Sequence, residues 1–355
     1  MESARRITEK LASLADLGFQ RTDASPIPPA SVPVGGNRHR VTSASPSMGT
    51  LVSVTAVHAS RDLIDDSVGA AFEEMDRVVA LLNRYDPSSA VFFLNDLGSI
   101  DMPPPELSIL LGRALEHHRS SRGIFDPTVQ PLVDLFRSRT RDPGFDPDHT
   151  TLPNRNEVRE LLELVDANAV HLTPRSIRLG KEGMGVTLDG IAKGYVVDLV
   201  ADSLSESGIR DFIVNAGGDI RSFGVREDGD AWRVAVQDPK KAGDFPDIIP
   251  LDGAVATSGS YEVYFDPDQT NHHIVDSKAG RSPVVTRSVS VVAPTAMEAD
   301  ALATTVFLME PDRGSAFIDS IPGCACLFVD RHGRQVRSAR WRSDAESPTP
   351  KAETK

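Results

Sequence analysis

Leu188-Asp-Gly-Ile-Ala-Lys-Gly-Tyr195 sets one carboxylate, two glycines and a lysine at the entrance of a segment with Val196, Leu199, Val200 and Leu204 at helical spacing. A helix mouth suits phosphate, because its free N–H groups and dipole favour an anion, glycine permits close approach, and Lys193 adds positive charge. By itself the stretch equally fits a glycine-containing turn capping a surface helix. A second candidate is the pair Asp300 and Thr304, four residues apart and so on one helical face. A carboxylate above a hydroxyl offers two hard oxygen ligands of the kind Mg²⁺ takes. The alternative leaves Thr304 bonded to its own helix backbone and Asp300 in solvent. His272-His273 precedes Ile274-Val-Asp276, read as a strand, where neighbours point to opposite faces, so both rings cannot easily bind one ion. One of them can face the site and carry a proton at neutral pH. No Cys-rich or spaced His pattern offers zinc a site.

These residues need elements to hold them. Phe212-Ile-Val reads as a strand running into the small-residue corner Asn215-Ala-Gly-Gly-Asp219, and Val289-Ser-Val-Val as one running into residues 295–305. Thr295 and Glu298 have capping-box spacing, which predicts a helix from there through Met309. Upstream, residues 51–57 read as a strand. Residues 62–82 carry Val68, Phe72, Met75, Val78, Val79 and Leu82 along one stripe, a core helix. Tyr85 follows, placed either to pack on that helix end or to stack on a planar ligand. A helix beginning at Pro103-Pro-Pro105 ends near Gly123, with His117 and His118 as helix-end or surface residues; Asp126 is positioned to cap a further helix. Residues 137–153 read as an exposed insertion, 157–164 as a short helix, 169–178 as a strand pair, 232–236 as a strand, 238–250 as a polar loop and 253–261 as a strand ending in a small-residue corner. Cys324 and Cys326 share one face of a strand, at a spacing poor for a disulfide.

The chain has 355 residues, 40% of them hydrophobic, enough for a large core. A net charge of −13 argues against nucleic-acid binding, which needs a concentrated basic face. No segment approaches the roughly 20 apolar residues of a membrane span. Charges interrupt residues 1–19 throughout, so no secretion signal is read there, and the expectation is a cytoplasmic protein. Residues 1–40 are expected to be an N-terminal segment and linker, either disordered or with a short amphipathic helix at 3–18, and a Pro/Ser/Gly-rich stretch at 21–40. Residues 41–340 would form the folded domain and 341–355 a disordered tail.

Taken together, Ser47-Met-Gly-Thr50, Tyr85-Asp-Pro87, Phe125-Asp-Pro-Thr-Val-Gln-Pro-Leu132, Leu188–Tyr195, Asn215–Asp219, Thr257-Ser-Gly259, His272-His-Ile-Val-Asp276 and Ala299-Asp-Ala-Leu-Ala-Thr304 resemble the ApbE family of flavin transferases, in the family's order. The resemblance implies an α+β fold of mixed or mostly antiparallel sheet covered by helices. It implies Mg²⁺-dependent transfer of FMN from FAD to a Thr or Ser hydroxyl of a flavin-accepting target protein, with release of AMP. Met48, Tyr85, Ile124, Phe125, Asp126, Lys193 and Ile274 would contact the flavin nucleotide. The Gly190 carbonyl, Asp300 and Thr304 would hold Mg²⁺, Lys193 would assist at the phosphate, and His273 would be the base. Two positions depart from the usual pattern: Thr187 stands where an Asp commonly precedes the leucine, and Ser277-Lys-Ala-Gly280 replaces Pro-Arg-Thr-Gly. Hydrolysis of FAD to FMN and AMP, and a non-catalytic FAD carrier, are the competing readings.

Overall fold

The computed structural model describes residues 30–140, 152–237, 245–266 and 268–343. Its strands are β1 (Ala30–Val34), β2 (Arg38–Ser47), β3 (Thr50–His58), β4 (Ser99–Asp101), β5 (Val170–Thr173), β6 (Ser176–Leu179), β7 (Asp211–Ala216), β8 (Asp219–Phe223), β9 (Trp232–Val236), β10 (Asp247–Leu251), β11 (Gly253–Gly259), β12 (Thr286–Ala293), β13 (Ala325–Asp330) and β14 (Gln335–Arg337). Its helices are α1 (Arg61–Leu82), α2 (Ala90–Leu97), α3 (Pro105–Ser120), α4 (Gln130–Thr140), α5 (Arg155–Leu162), α6 (Ala192–Glu206), α7 (Ala296–Phe307) and α8 (Pro311–Asp319).

Nine strands form one sheet in the order β1-β2-β3-β7-β8-β11-β12-β13-β14, every neighbouring pair antiparallel. Small sheets β9–β10 and β4-β6-β5 complete the β structure among the described residues. The β2–β3 hairpin closes through Met48 (φ 51) and Gly49 (φ 74), a two-residue turn with both centres left-handed, which matches the natural twist of the strands. The β7–β8 hairpin turns through Gly217 and Gly218, and Gly217 packs against Thr50, so both tips lie at one end of the sheet.

The stripe on α1 packs with α6 and the inner residues of β3 and β7 into the largest core. A second core sets Ala299, Leu302, Ala303, Val306 and Phe307 of α7 against β12 and β13. Both site helices are therefore fixed on the sheet by their apolar faces, and their N-termini meet. Where Gly194 stands, a Cβ would lie 2.2 Å from the Ala296 carbonyl oxygen, an approach that excludes any larger residue.

Several expectations change. Ala30–Val34 pairs with Arg38–Thr42, so the sheet begins inside the stretch read as linker; Pro33 is tolerated because β1 is an edge strand. Arg137 and Arg139 belong to α4 rather than to an exposed insertion, of which residues 141–151 lie outside the described residues. Asp247–Leu251 is a strand within the expected polar loop. His272–Asp276 is not a strand, since only isolated bridges at His272 and Asp276 occur there. Trp341 and Ser343, assigned to the tail, are buried and donate to the Asp247 carboxylate, while residues 344–355 lie outside the described residues, as does the expected helix at 3–18. Asp126 does not cap α4; it accepts from the Thr128 N–H and hydroxyl in a local turn. Helix α2, capped by Ser89, had no counterpart in the sequence reading.

Candidate active site

The site is built where the mouth of α6 meets the first turns of α7. Leu188–Ile191 makes one turn, with the Ile191 and Ala192 N–H groups donating to Leu188 O, and this leads directly into the N-terminus of α6. Thr187, buried in place of the family's Asp, accepts from the Asp189 N–H at 3.2 Å and so shapes the turn. The Gly194 N–H donates to Asp300 Oδ2 at 3.0 Å, joining the two helices at the carboxylate itself. Gly190 lies against Thr304 and Phe125: a Cβ there would sit 3.1 Å from Thr304 Oγ1 and 3.3 Å from the Phe125 ring. Ser258 Oγ from β11 is 3.4 Å from Thr304 Oγ1. Gly190, Asp300, Thr304 and Phe125 thus come together from three separated stretches of chain.

Lys193 Nζ lies 3.3 Å from Asp219 Oδ2, a buried oxygen at the start of β8 with no hydrogen bond among the described residues. Against the burial that opposes its charge, Lys193 is held above the ordinary lysine value by Asp219 and then Asp300. Burial and then the neighbouring Asp219 charge push the Asp300 carboxyl well above the usual range, with Lys193 and the Gly194 N–H opposing. Burial likewise raises Asp219. Two crowded carboxylates sharing one lysine make a site short of positive charge, and a buried hard-oxygen donor set of this kind fits Mg²⁺.

His273 is half-buried. Its Nδ1 lies 3.0 Å from Val263 O; donation to that carbonyl leaves Nε2 as the proton acceptor. Burial lowers its pKa below the ordinary imidazole value of 6.5, opposed by the Val263 carbonyl and by Asp189. Asp189 keeps 53% of its side chain exposed beside the Arg84 guanidinium. Against burial, Arg84 holds that carboxyl low. Arg84 itself is buried, pairing with Asp189 at 3.3 Å and Asp134 at 2.7 Å.

The remaining candidates line the approaches. Met48 stands on the hairpin tip and packs on the main core. Ile274 is buried with α7, and Ile124 packs on the same cluster. His118 is a helix-end residue, in the last turn of α3, and the Phe125 carbonyl and the Asp126 carboxylate both face its Nδ1, at 3.0 and 3.3 Å. Tyr85 has the Arg84 and Arg137 guanidinium carbons each 4.3 Å from its ring centroid, and Arg137 donates to its hydroxyl. Stacking on a planar ligand would displace one of these cations.

The sequence reading left Arg84, Asp189, Asp198 and Asp219 without roles. Asp198 accepts from the Ala296 and Met297 N–H groups at 2.9 Å each and is held by Arg221, so α6 caps α7 from outside the latter's own sequence. Asp219 ends the small-residue corner after β7, a placement that could have marked it; nothing local marks Asp198.

Residues 48–328 match the model of the ApbE family, and the chain belongs to that family. It is 31% identical over 309 residues to the FAD:protein FMN transferase of Treponema pallidum, covering 79% of this chain and 82% of that protein. To the Vibrio cholerae FAD:protein FMN transferase it is 35% identical over 233 residues, 62% of this chain and 67% of that one. The crystal structure of the ApbE protein of Thermotoga maritima superposes with a TM-score of 0.73 at 30% identity, covering 84% of this chain and 97% of that one. Among the described residues no helix is long and apolar enough to cross a membrane.

Proposed function

We propose that this protein transfers FMN from FAD to a Ser or Thr hydroxyl of a target protein and releases AMP. The observation that carries the reading is the junction of the two helix mouths, with Gly194 N–H on Asp300 and Gly190 against Thr304. In the balanced step, the acceptor oxygen forms a bond to the FMN phosphorus as the anhydride P–O bond to AMP breaks. The hydroxyl proton passes to His273 Nε2, the acceptor left by the Nδ1 contact with Val263. Lys193, held by Asp219, and the positive end of the α6 dipole would meet the charge that develops on phosphoryl oxygens. Gly190 O, Asp300 and Thr304 would hold Mg²⁺, which when bound neutralises diphosphate charge. Met48, Tyr85, the Ile124–Asp126 segment and Ile274 would position the nucleotide, and alignment of hydroxyl and anhydride supplies much of the rate.

Asp300→Ala tests the metal assignment. It removes a carboxylate already crowded by Asp219 but leaves the buried Gly194 N–H without its acceptor, so the fold should survive at a cost of about 1–3 kcal/mol. Magnesium-dependent transfer should fall to background; normal turnover by the variant would overturn the assignment.

A further inference from the structure

Behind the Gly123–Asp126 wall of the site lies an open groove of ≈ 460 Å³, within the roughly 300–1,000 Å³ range of ligand pockets. Arg119 at the end of α3, Arg122 in the following corner and Lys278 in the turn after His273 supply its cations. The two carboxylates in its lining are already answered: Asp126 by His118 at 3.3 Å, and Asp166 by Lys181 at 3.2 Å. Arg119 and Arg122 carry no ion pair among the described residues, and Lys278 Nζ bonds only the Arg122 carbonyl, at 3.2 Å. The groove is therefore left with surplus positive charge on a chain whose net charge is −13.

Its position gives that charge a use. Phe125 forms part of the wall's far side and packs on Gly190, while Asp126 lines the groove. The opposite wall, Ser277-Lys278, continues the segment that carries His273, and Ser277 Oγ donates to Gly123 O at 3.2 Å, tying the two walls together. The segment that carries His273 thus runs directly into the groove's wall. We infer that the groove formed by Arg119, Arg122 and Lys278 docks an acidic segment of the flavin-accepting polypeptide. The inference rests on the transferase reading above. The rest of the acidic surface repels such a segment, so the local cations alone hold it, and that contact would weaken as salt rises.

The test uses the full chain with FAD and Mg²⁺ and a fluorescein-labelled peptide of alternating Glu and Gly with one central Thr. Its counterpart with Gln for Glu is the control. Anisotropy should show salt-sensitive binding of the Glu peptide that weakens about tenfold in Arg119→Glu/Arg122→Glu, with FAD affinity by flavin fluorescence unchanged. The single variant Arg119→Ala, at an exposed side chain with no bond among the described residues, should weaken binding in the same direction with no risk to the fold. Equal binding of both peptides, unchanged binding in both variants, or displacement by inorganic phosphate as effective as by unlabelled Glu peptide would each overturn the proposal. A wild-type enzyme that binds the peptide through these residues but labels no acceptor would count against the transferase reading and leave the docking site standing.

Discussion

His273 shows how a single contact sets chemistry at the scale of one residue. Nδ1 is committed to the Val263 carbonyl and burial disfavours the imidazolium, so Nε2 stays available as a base through neutral pH. Because the folded pKa lies below 6.5, activity should hold at neutrality and fall only as pH drops through that lowered value. His273→Asn should cut transfer by about 10²–10⁴ and remove this acid limb from the kcat/KM profile, with FAD binding kept. A variant with wild-type rate and limb would assign the proton elsewhere. Asp219 and Asp189 were harder to read in the sequence, because each matters through a partner distant in the chain: Lys193 for one and Arg84 for the other.

At the scale of elements, the site depends on how closely α6 and α7 approach. Gly194 permits that approach, and Asp198 fastens it by capping α7. Gly194→Ala would place a methyl group within the Ala296 backbone, forcing the helix mouths apart at a cost of about 1–3 kcal/mol or more. It should lower the urea midpoint and also weaken the magnesium dependence of transfer, since Asp300 moves with α7. A loss of stability with the metal response intact would separate packing from the site. The helices were legible because their apolar stripes and the Thr295 cap are local signals, and Thr295 does accept from the Glu298 N–H. Strands β1 and β10 were missed because Pro33 and Pro250 lie within them, at sheet edges where a missing N–H is tolerated. The His272–Asp276 stretch was read as a strand from its apolar residues, but Ile274 is buried against α7 and Val275 against the cluster around α4.

Across the whole molecule, the nine-stranded sheet carries both hairpin tips and both site helices, while the order of its strands could not be read from local pattern. Its acid stability should carry the mark of two histidines outside the chemistry, His117 and His272, each lowered by burial from 6.5 to about 4, and His272 is the more deeply buried. His272 is fully buried beside Phe307, its Nε2 3.1 Å from Pro283 O and its Nδ1 without a partner among the described residues, and burial lowers its pKa from 6.5 to about 4. The unfolded chain therefore takes up this proton first on acidification. The contribution is full above pH 6.5, begins to erode there and is lost as pH falls through about 4. Its loss is worth on the order of 3 kcal/mol. Urea unfolding across that window should be steeper in pH for the native chain than for His272→Gln; equal slopes would place the acid sensitivity elsewhere.

The most direct measurement is intact-mass analysis of a flavin-accepting domain incubated with this protein, FAD and Mg²⁺, with AMP quantified in the same tube. Covalent gain of one FMN per acceptor, matched by AMP and abolished by chelation, is the predicted result. AMP and free FMN without labelled acceptor, or FAD recovered intact, would contradict it.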